Sequence, residues 1–401
     1  MSEFCSYVYQ VKPPRLEYPW TFPMPSVKER DRRWAAIREA MSKHKIDCLI
    51  IGAPVNIFMP MPSTYLYYIS NYVPFSNSGH YVVFPLQGKP WMVVNNNIGP
   101  QFLHTALQTS WISDIAGSFN ICLDVVKKIE QLKLENGKLG IIGYNQGWFS
   151  AILYTALVKS FPKAELEDVS PILNEVMNEI SRHSEEELQF LSKTCDILDL
   201  SYEAVKKSLK PGVSEYELWA AAEQAIVGNG GWAGHFILAT SGPGPTFPKA
   251  PPAHNILKEG DIAIFELNVI YGGVSAQICF ALSLGKPEPE VFRMYELCDE
   301  LYRFALAELD KKRTFIDIEQ DLSNRIHKAG YEPMTPQIHI YNMSGVMPMN
   351  SPAQPGDYFT VHPNMANKNF SKGAKFGDTV WIAKNGRVER LQKTPAMLNI
   401  I

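Results

Sequence analysis

The chain has 401 residues, of which 46% are hydrophobic and 20% charged, with a formal net charge of −3. That length is long for a single core and points to two domains, and the balanced charge gives no basic surface for nucleic acid and no lysine-rich block for a membrane. Six cysteines (Cys5, Cys48, Cys122, Cys195, Cys279, Cys298) stand singly, without the close pairs of metal clusters or disulfide frameworks, so reduced thiols in a cytoplasmic protein are expected.

The first residues lack a charged start followed by an apolar run, and no apolar run approaches the length of a bilayer span, so neither a secretory signal nor a membrane segment is expected. Residues 1 to about 30 are rich in proline and aromatics, which favours an extended arm. From Val27 to Lys45 the spacing of Trp34, Ile37 and Met41 predicts an amphipathic helix. Strand-like runs follow at 48–51, 80–84, 91–94 and 139–143, with a helix near 124–133 between the last two. This alternation predicts an α/β domain with a mixed or parallel sheet, over residues 1–172. No glycine fingerprint for a dinucleotide or phosphate appears in it.

Residues 168–184 read as the interdomain connection, with a helix from about Pro171. Ser184-Glu185-Glu186-Glu187 and Ser214-Glu215-Tyr216-Glu217 each place a hydroxyl at a helix start and Glu three residues on, the pattern of a capping box. Next come the strand-like Phe236–Thr240, a proline-rich loop to Pro252, and two β-type runs, 259–270 and 274–282, flanking Tyr271-Gly272-Gly273. Glycine takes positive φ without strain, so this is a hairpin. Helices from Pro289 to Asp310 and from Phe315 to Ala329, then strands at 337–341, 358–362 and 378–383, complete an α+β domain over 173–401.

Polar residues inside the hairpin strands, Glu266 and Gln277, mark the expected site. Five further landmarks stand in order along the second domain: Arg182-His183-Ser184-Glu185-Glu186-Glu187, Lys210-Pro211-Gly212-Val213-Ser214-Glu215, Gly260-Asp261-Ile262, Gly356-Asp357-Tyr358-Phe359-Thr360-Val361 and Gly377-Asp378-Thr379-Val380. With these the chain resembles the creatinase and aminopeptidase P family, whose C-terminal domain has the pita-bread fold, and the first domain looks like that family's N-terminal one. Peptidases of the family hold two metal ions with two Asp, one His and two Glu. The resemblance places those ligands on Glu266, Gln277, a position near Met343, His362 and Gly377. Gln, Met and Gly bring no anionic oxygen for two dications or for lowering the pKa of a bridging water.

Creatinase is the family's precedent for a metal-free site, and ectoine-ring hydrolases look like a related variant. The resemblance therefore implies a metal-independent hydrolase of a C–N bond in a small polar guanidine, amidine, cyclic or betaine-like metabolite, with no cofactor. Histidine suits such acid–base work because its ordinary pKa lies near neutrality. The expected catalytic residues are His254, His362 and Glu266. Gln277, His339, His235, Trp232 and Tyr271 are expected to contact substrate. Plainer roles stand beside these: a solvent-exposed loop histidine for His254, an ion pair with Lys, Arg or His362 for Glu266, backbone-satisfied core histidines for His339 and His362, core packing for Trp232, a turn cap for Tyr271. Cys279, on the strand face of Gln277, reads as a buried structural thiol.

Three alternatives remain open: one transition metal at Glu266, His339 and His362; a lyase acting on a small charged metabolite; and a non-catalytic binding domain, as in the family's histone-chaperone relatives. The resemblance also implies a homodimer in which the N-terminal domain of one copy borders the cleft of the other, with Phe75, Tyr81 and Asn95-Asn96-Asn97 as places where it could do so.

Overall fold

The computed structural model describes residues 23–52, 64–72, 79–95, 101–145, 147, 149–182, 184–231, 236–245, 252–339, 349–395 and 397–401. The chain divides into two units, 1–180 and 181–401. Both this division and the sequence boundary at 172/173 fall within one helix, Ser170–Ser181.

In the first unit Ser26 caps α1 (Val27–Lys43) by accepting from the Glu29 backbone N–H. There follow β1 (Cys48–Gly52), α2 (Thr64–Ser70), β2 (Tyr81–Pro85), β3 (Trp91–Asn95), α3 (Gln101–Thr109), β4 (Asp114–Ser118), α4 (Ile121–Gln131), β5 (Lys138–Ile142), α5 (Ala151–Ser160), β6 (Glu165–Asp168) and α6 (Ser170–Ser181). The six strands lie in the order β4-β3-β2-β1-β5-β6. β2 runs antiparallel to β1 and β3, while β1/β5, β3/β4 and β5/β6 are parallel. β1 and β2 are buried along their whole length, which is why they read as unbroken apolar runs rather than alternating ones. Of the expected dimer-facing residues, Tyr81 is buried in β2, whereas Phe75, Asn96 and Asn97 lie outside the described residues.

The second unit opens with α7 (Glu185–Ser208) and α8 (Glu215–Gly228). Ser184 caps α7, and at α8 Ser214 and Glu217 form a complete capping box. The elements after them are β7 (Phe236–Gly242), β8 (Ile262–Tyr271), β9 (Val274–Ser283), α9 (Pro289–Asp310), α10 (Phe315–Lys328), β10 (Glu332–Pro333), β11 (Ile338–His339), β12 (Tyr358–Val361), β13 (Asn364–Ala366), β14 (Gly373–Lys375), β15 (Gly377–Ile382), β16 (Val388–Arg390) and β17 (Asn399–Ile400). The large sheet runs β11-β12-β15-β9-β8-β7, with β16 on β15 and β17 on β9, and β10, β13 and β14 form a small one. The chain thus carries the expected α/β unit and the expected α+β one.

The β8–β9 hairpin is paired from Ile262↔Ser283 to Tyr271↔Val274, leaving Gly272 and Gly273 as the turn. Both have positive φ, 58° and 81°. A side chain at Gly272 would also meet the Phe190 ring at 2.5 Å. Successive strand residues face opposite sides. Ala263, Phe265, Leu267 and Val269 pack into the core beneath α7 and α8. Ile262 and Ile264 join the core under α9 and α10, and Glu266 and Asn268 continue their face.

Candidate functional site

Directly opposed residues of an antiparallel pair share a sheet face. Glu266 and Gly377 both oppose Cys279, Asn268 opposes Gln277, and Thr379 and His339 both oppose Thr360. The register thus gathers polar groups from β8, β9, β11, β12 and β15 on one face, and His362 follows two residues after Thr360.

Glu266 is 6% exposed. Its Oε1 accepts from the Gln277 amide, and its Oε2 accepts from the Lys375 ammonium at 2.6 Å. Lys375, at the end of β14, is 1% exposed. A buried charge of either sign is costly unless paired, so each of these groups requires the other. Thr379 Oγ1 takes the Gln277 backbone N–H at 2.8 Å and donates to its carbonyl at 3.0 Å, which also accepts from Gln392 Nε2 at 3.0 Å. With its backbone clamped and its amide nitrogen given to Glu266, Gln277 turns out a buried Oε1 that has no partner among the described residues.

His362 is equally well fixed. Its backbone N–H donates to Gln337 O at 2.8 Å, and its ring lies 4.4 Å from that of His339. Glu319 of α10 secures the start of β11 by accepting from Gln337 N and Ile338 N at 2.8 and 3.0 Å. Burial above all, then the positive charge of Lys375 and the neighbouring His339, hold the His362 pKa well below its ordinary value. The ring is therefore neutral at physiological pH. Asn364 Nδ2 lies 3.4 Å from Nδ1; if that amide donates, Nδ1 accepts and the proton sits on Nε2. Nε2 is buried and has no partner among the described residues, and the same holds for Thr360 Oγ1.

The structure brings Glu266 and Gln277 together, and His339 and His362 together, on this face. It does not bring His254 there. Glu215 of α8 holds the 253–255 segment through the Ala253 N–H at 2.7 Å, and Glu215 N donates to Asn255 O at 2.9 Å. His254 is exposed on that segment, with its ring 4.7 Å from Tyr216. Tyr271, five residues from Glu266, faces the opposite side and packs on Phe190 at 6.0 Å. Trp232 and His235 lie outside the described residues, as does Met343. Burial raises the Cys279 thiol pKa far above the usual range, which leaves it protonated and unsuited to nucleophilic attack. Lys375 is the residue that sequence reasoning missed. Its signal was a lysine between Ala374 and Phe376 in a glycine-bounded apolar stretch, a charge in need of a counter-ion.

Residues 33–176 match the family model "Creatinase/Prolidase N-terminal domain", and residues 189–384 match "Metallopeptidase family M24". The chain belongs to the creatinase/aminopeptidase P family. Family relatives include an Xaa-Pro dipeptidase of Pyrococcus horikoshii, 21% identical over 367 residues that cover 89% of this chain and 96% of that protein. Among solved structures, the prolidase of the same organism superposes with a TM-score of 0.73 at 20% identity, covering 92% of this chain and 99% of that one. An X-Pro aminopeptidase from Thermotoga maritima gives 0.75 at 16%, with coverage of 92% and 99%. These likenesses establish the two-domain pita-bread fold.

They also correct two expectations. The matched family model is one of metallopeptidases, and the relatives are dipeptidases. A metal-independent hydrolase of non-peptide metabolites, with no cofactor, is overturned by that finding.

The donor set of this face nonetheless fits two divalent ions poorly. Both Glu266 oxygens are engaged, one by an amide and one by an ammonium. At Gly377 there is no donor and no room for one, because a Cβ would stand 2.0 Å from Val361 O. Among the described residues no three of the types His, Cys, Asp and Glu come together as a metal-holding group. The alternative single-metal set of Glu266, His339 and His362 meets the same obstacle, since Lys375 occupies Glu266 Oε2.

Proposed function

We propose that this chain hydrolyses a peptide-type C–N bond in a small substrate, at the face built from Glu266, Gln277, His362 and Lys375. The observation that carries this is the pair of buried, unused atoms on one sheet face, Gln277 Oε1 and His362 Nε2. A buried polar atom without a partner costs about 1–3 kcal/mol, and a ligand that satisfies it recovers that cost. An amide complements the pair: its N–H can donate to Gln277 Oε1 and its carbonyl can accept from His362 Nε2–H. A water adds its oxygen to the carbonyl carbon as the C–N bond breaks, and its proton is carried to the departing nitrogen, which leaves as an amine, while His362 Nε2–H holds the carbonyl oxygen as negative charge develops on it. Glu266 fixes the orientation of Gln277, and Lys375 balances Glu266. Full-length similarity to Xaa-Pro dipeptidases supports this substrate class.

The five described cysteines are all free, which fits a cytoplasmic enzyme. Pairing of two copies belongs to the same proposal and rests on the family resemblance. Among the described residues no helix is long and apolar enough to cross a membrane.

The test is an assay of Xaa-Pro dipeptides, with and without added Mn²⁺ or Zn²⁺, that follows release of the free amino acid. Turnover should appear, and His362→Ala should lower kcat/KM by about a hundredfold or more, the usual contribution of a donor to the developing oxyanion. Folded protein that cleaves no dipeptide under either condition would overturn the proposal.

A further inference from the structure

The poor fit of this face to divalent ions has an identifiable source in Lys375. Its ammonium and the Glu266 carboxylate are both buried, with side chains 2% and 7% exposed, and meet at 2.6 Å. The ammonium provides the counter-charge that a buried carboxylate requires, delivered on a flexible four-carbon stem from β14. A dication approaching Glu266 would have to displace it, and until then would be repelled by it at close range and low dielectric. Around the pair, Gln277 Oε1 and His362 Nε2 carry no partner among the described residues. The free Gln277 oxygen is an amide oxygen, a donor that suits hard cations such as Mn²⁺.

We propose that Lys375 competes with a divalent cation for Glu266, so that the readiness of this face to take up metal is set by the lysine. This deepens the assignment of the working site to the same face and rests on it. On this basis metal loading and displacement of the Lys375 ammonium are one equilibrium. Removing the ammonium leaves Glu266 buried without a counter-charge and exchanges a repulsive neighbour for an open oxygen.

The test is calorimetric titration of the full-length, chelator-stripped protein with Mn²⁺ alone and with Zn²⁺ alone. Lys375→Met should bind metal about tenfold to a hundredfold more tightly than the unmodified protein, the equivalent of one charge-assisted hydrogen bond no longer to be broken. Lys375→Arg, which keeps the charge, should bind as the unmodified protein does. The gain should vanish in Lys375→Met combined with Glu266→Gln. If Lys375→Met is unstable alone, added Mn²⁺ should restore its melting temperature. The proposal is overturned if Lys375→Met binds metal no more tightly, if the gain survives Glu266→Gln, or if an unstable Lys375→Met protein is not rescued by Mn²⁺. Because binding is read rather than turnover, failure here is distinguishable from failure of dipeptide hydrolysis.

Discussion

Two buried carboxylates lie in the large sheet of the second unit, and they are satisfied in different ways. Asp378 Oδ2 accepts from Arg390, whose Nε lies 2.9 Å away and whose Nη2 also donates to Thr394 O at 2.8 Å, and Asp378 Oδ1 accepts from the Tyr302 hydroxyl. Burial raises its pKa, and Arg390 opposes that rise. Glu266, on the other face, pairs with Lys375 and Gln277. Its partner Gln277 and the nearby His362 keep buried atoms to spare. A planar guanidinium and a phenol make the Asp378 network rigid and complete, whereas a flexible ammonium and an amide leave the Glu266 network able to accept something more. The first network acts as a strut and the second as a site.

The largest effect that would test this contrast is at the strut. Arg390→Met leaves Asp378 buried without its partner and should lower the unfolding free energy of the second unit by about 3–5 kcal/mol. Urea denaturation measures it, and adding Asp378→Asn should recover most of the loss. A deficit under about 1 kcal/mol would show that Asp378 is not held as a strut, and the contrast with Glu266 would collapse.

Thr379→Val should have a smaller effect. This hydroxyl lies next in sequence to Asp378 yet clamps the Gln277 backbone, so it joins strut and site. Valine leaves the buried Gln277 N–H unsatisfied, at a cost of about 1–3 kcal/mol by urea denaturation. Thr379→Ser keeps the hydroxyl and should restore most of the stability. If serine restored stability without restoring dipeptide turnover, the threonine methyl would also be positioning Gln277.

What could be read from the chain alone follows the range of the interactions. The hairpin was visible because Gly272 and Gly273 supply positive φ between two apolar runs, and the starts of α7 and α8 because Ser184 and Ser214 cap within three residues. Glu266 and Gln277 stood out as polar residues in those runs. Lys375 did not, since its partner Glu266 is 109 positions away and β14 is only three residues long. The setting of His254 is hidden from the chain for a related reason. Glu215 ties its segment to the start of α8, a contact across 38 positions that no local pattern reveals. The family landmarks identified the fold correctly, while the altered residues at ligand positions led to a metal-free chemistry that the relatives do not support.

The smallest predicted effect concerns pH and separates the two faces once more. The His362 pKa in the folded chain is pushed well below the ordinary value of 6.5 by burial first, then by Lys375 and His339. In the unfolded chain the imidazole takes up a proton near pH 6.5, while in the folded chain it stays neutral until much lower pH. Below pH 6.5 the unfolded state therefore binds more protons, and stability falls as pH falls. The His362 contribution is fully present above pH 6.5 and declines toward the folded pKa, by about 1 kcal/mol over the first unit and at most about 1.4 kcal/mol per unit thereafter. Urea denaturation at pH 7.5, 6.5 and 5.5 should show this slope in the unmodified protein and a shallower one in His362→Gln. Asp378 acts in the opposite direction: its raised pKa lets the folded chain take up a proton before the unfolded one, so its titration favours the folded state as pH falls from the folded pKa toward 3.8. A slope at pH 5.5–6.5 unaffected by His362→Gln would mean that this imidazole does take up a proton in the folded chain, and its role as a neutral donor to a bound amide would fall with it.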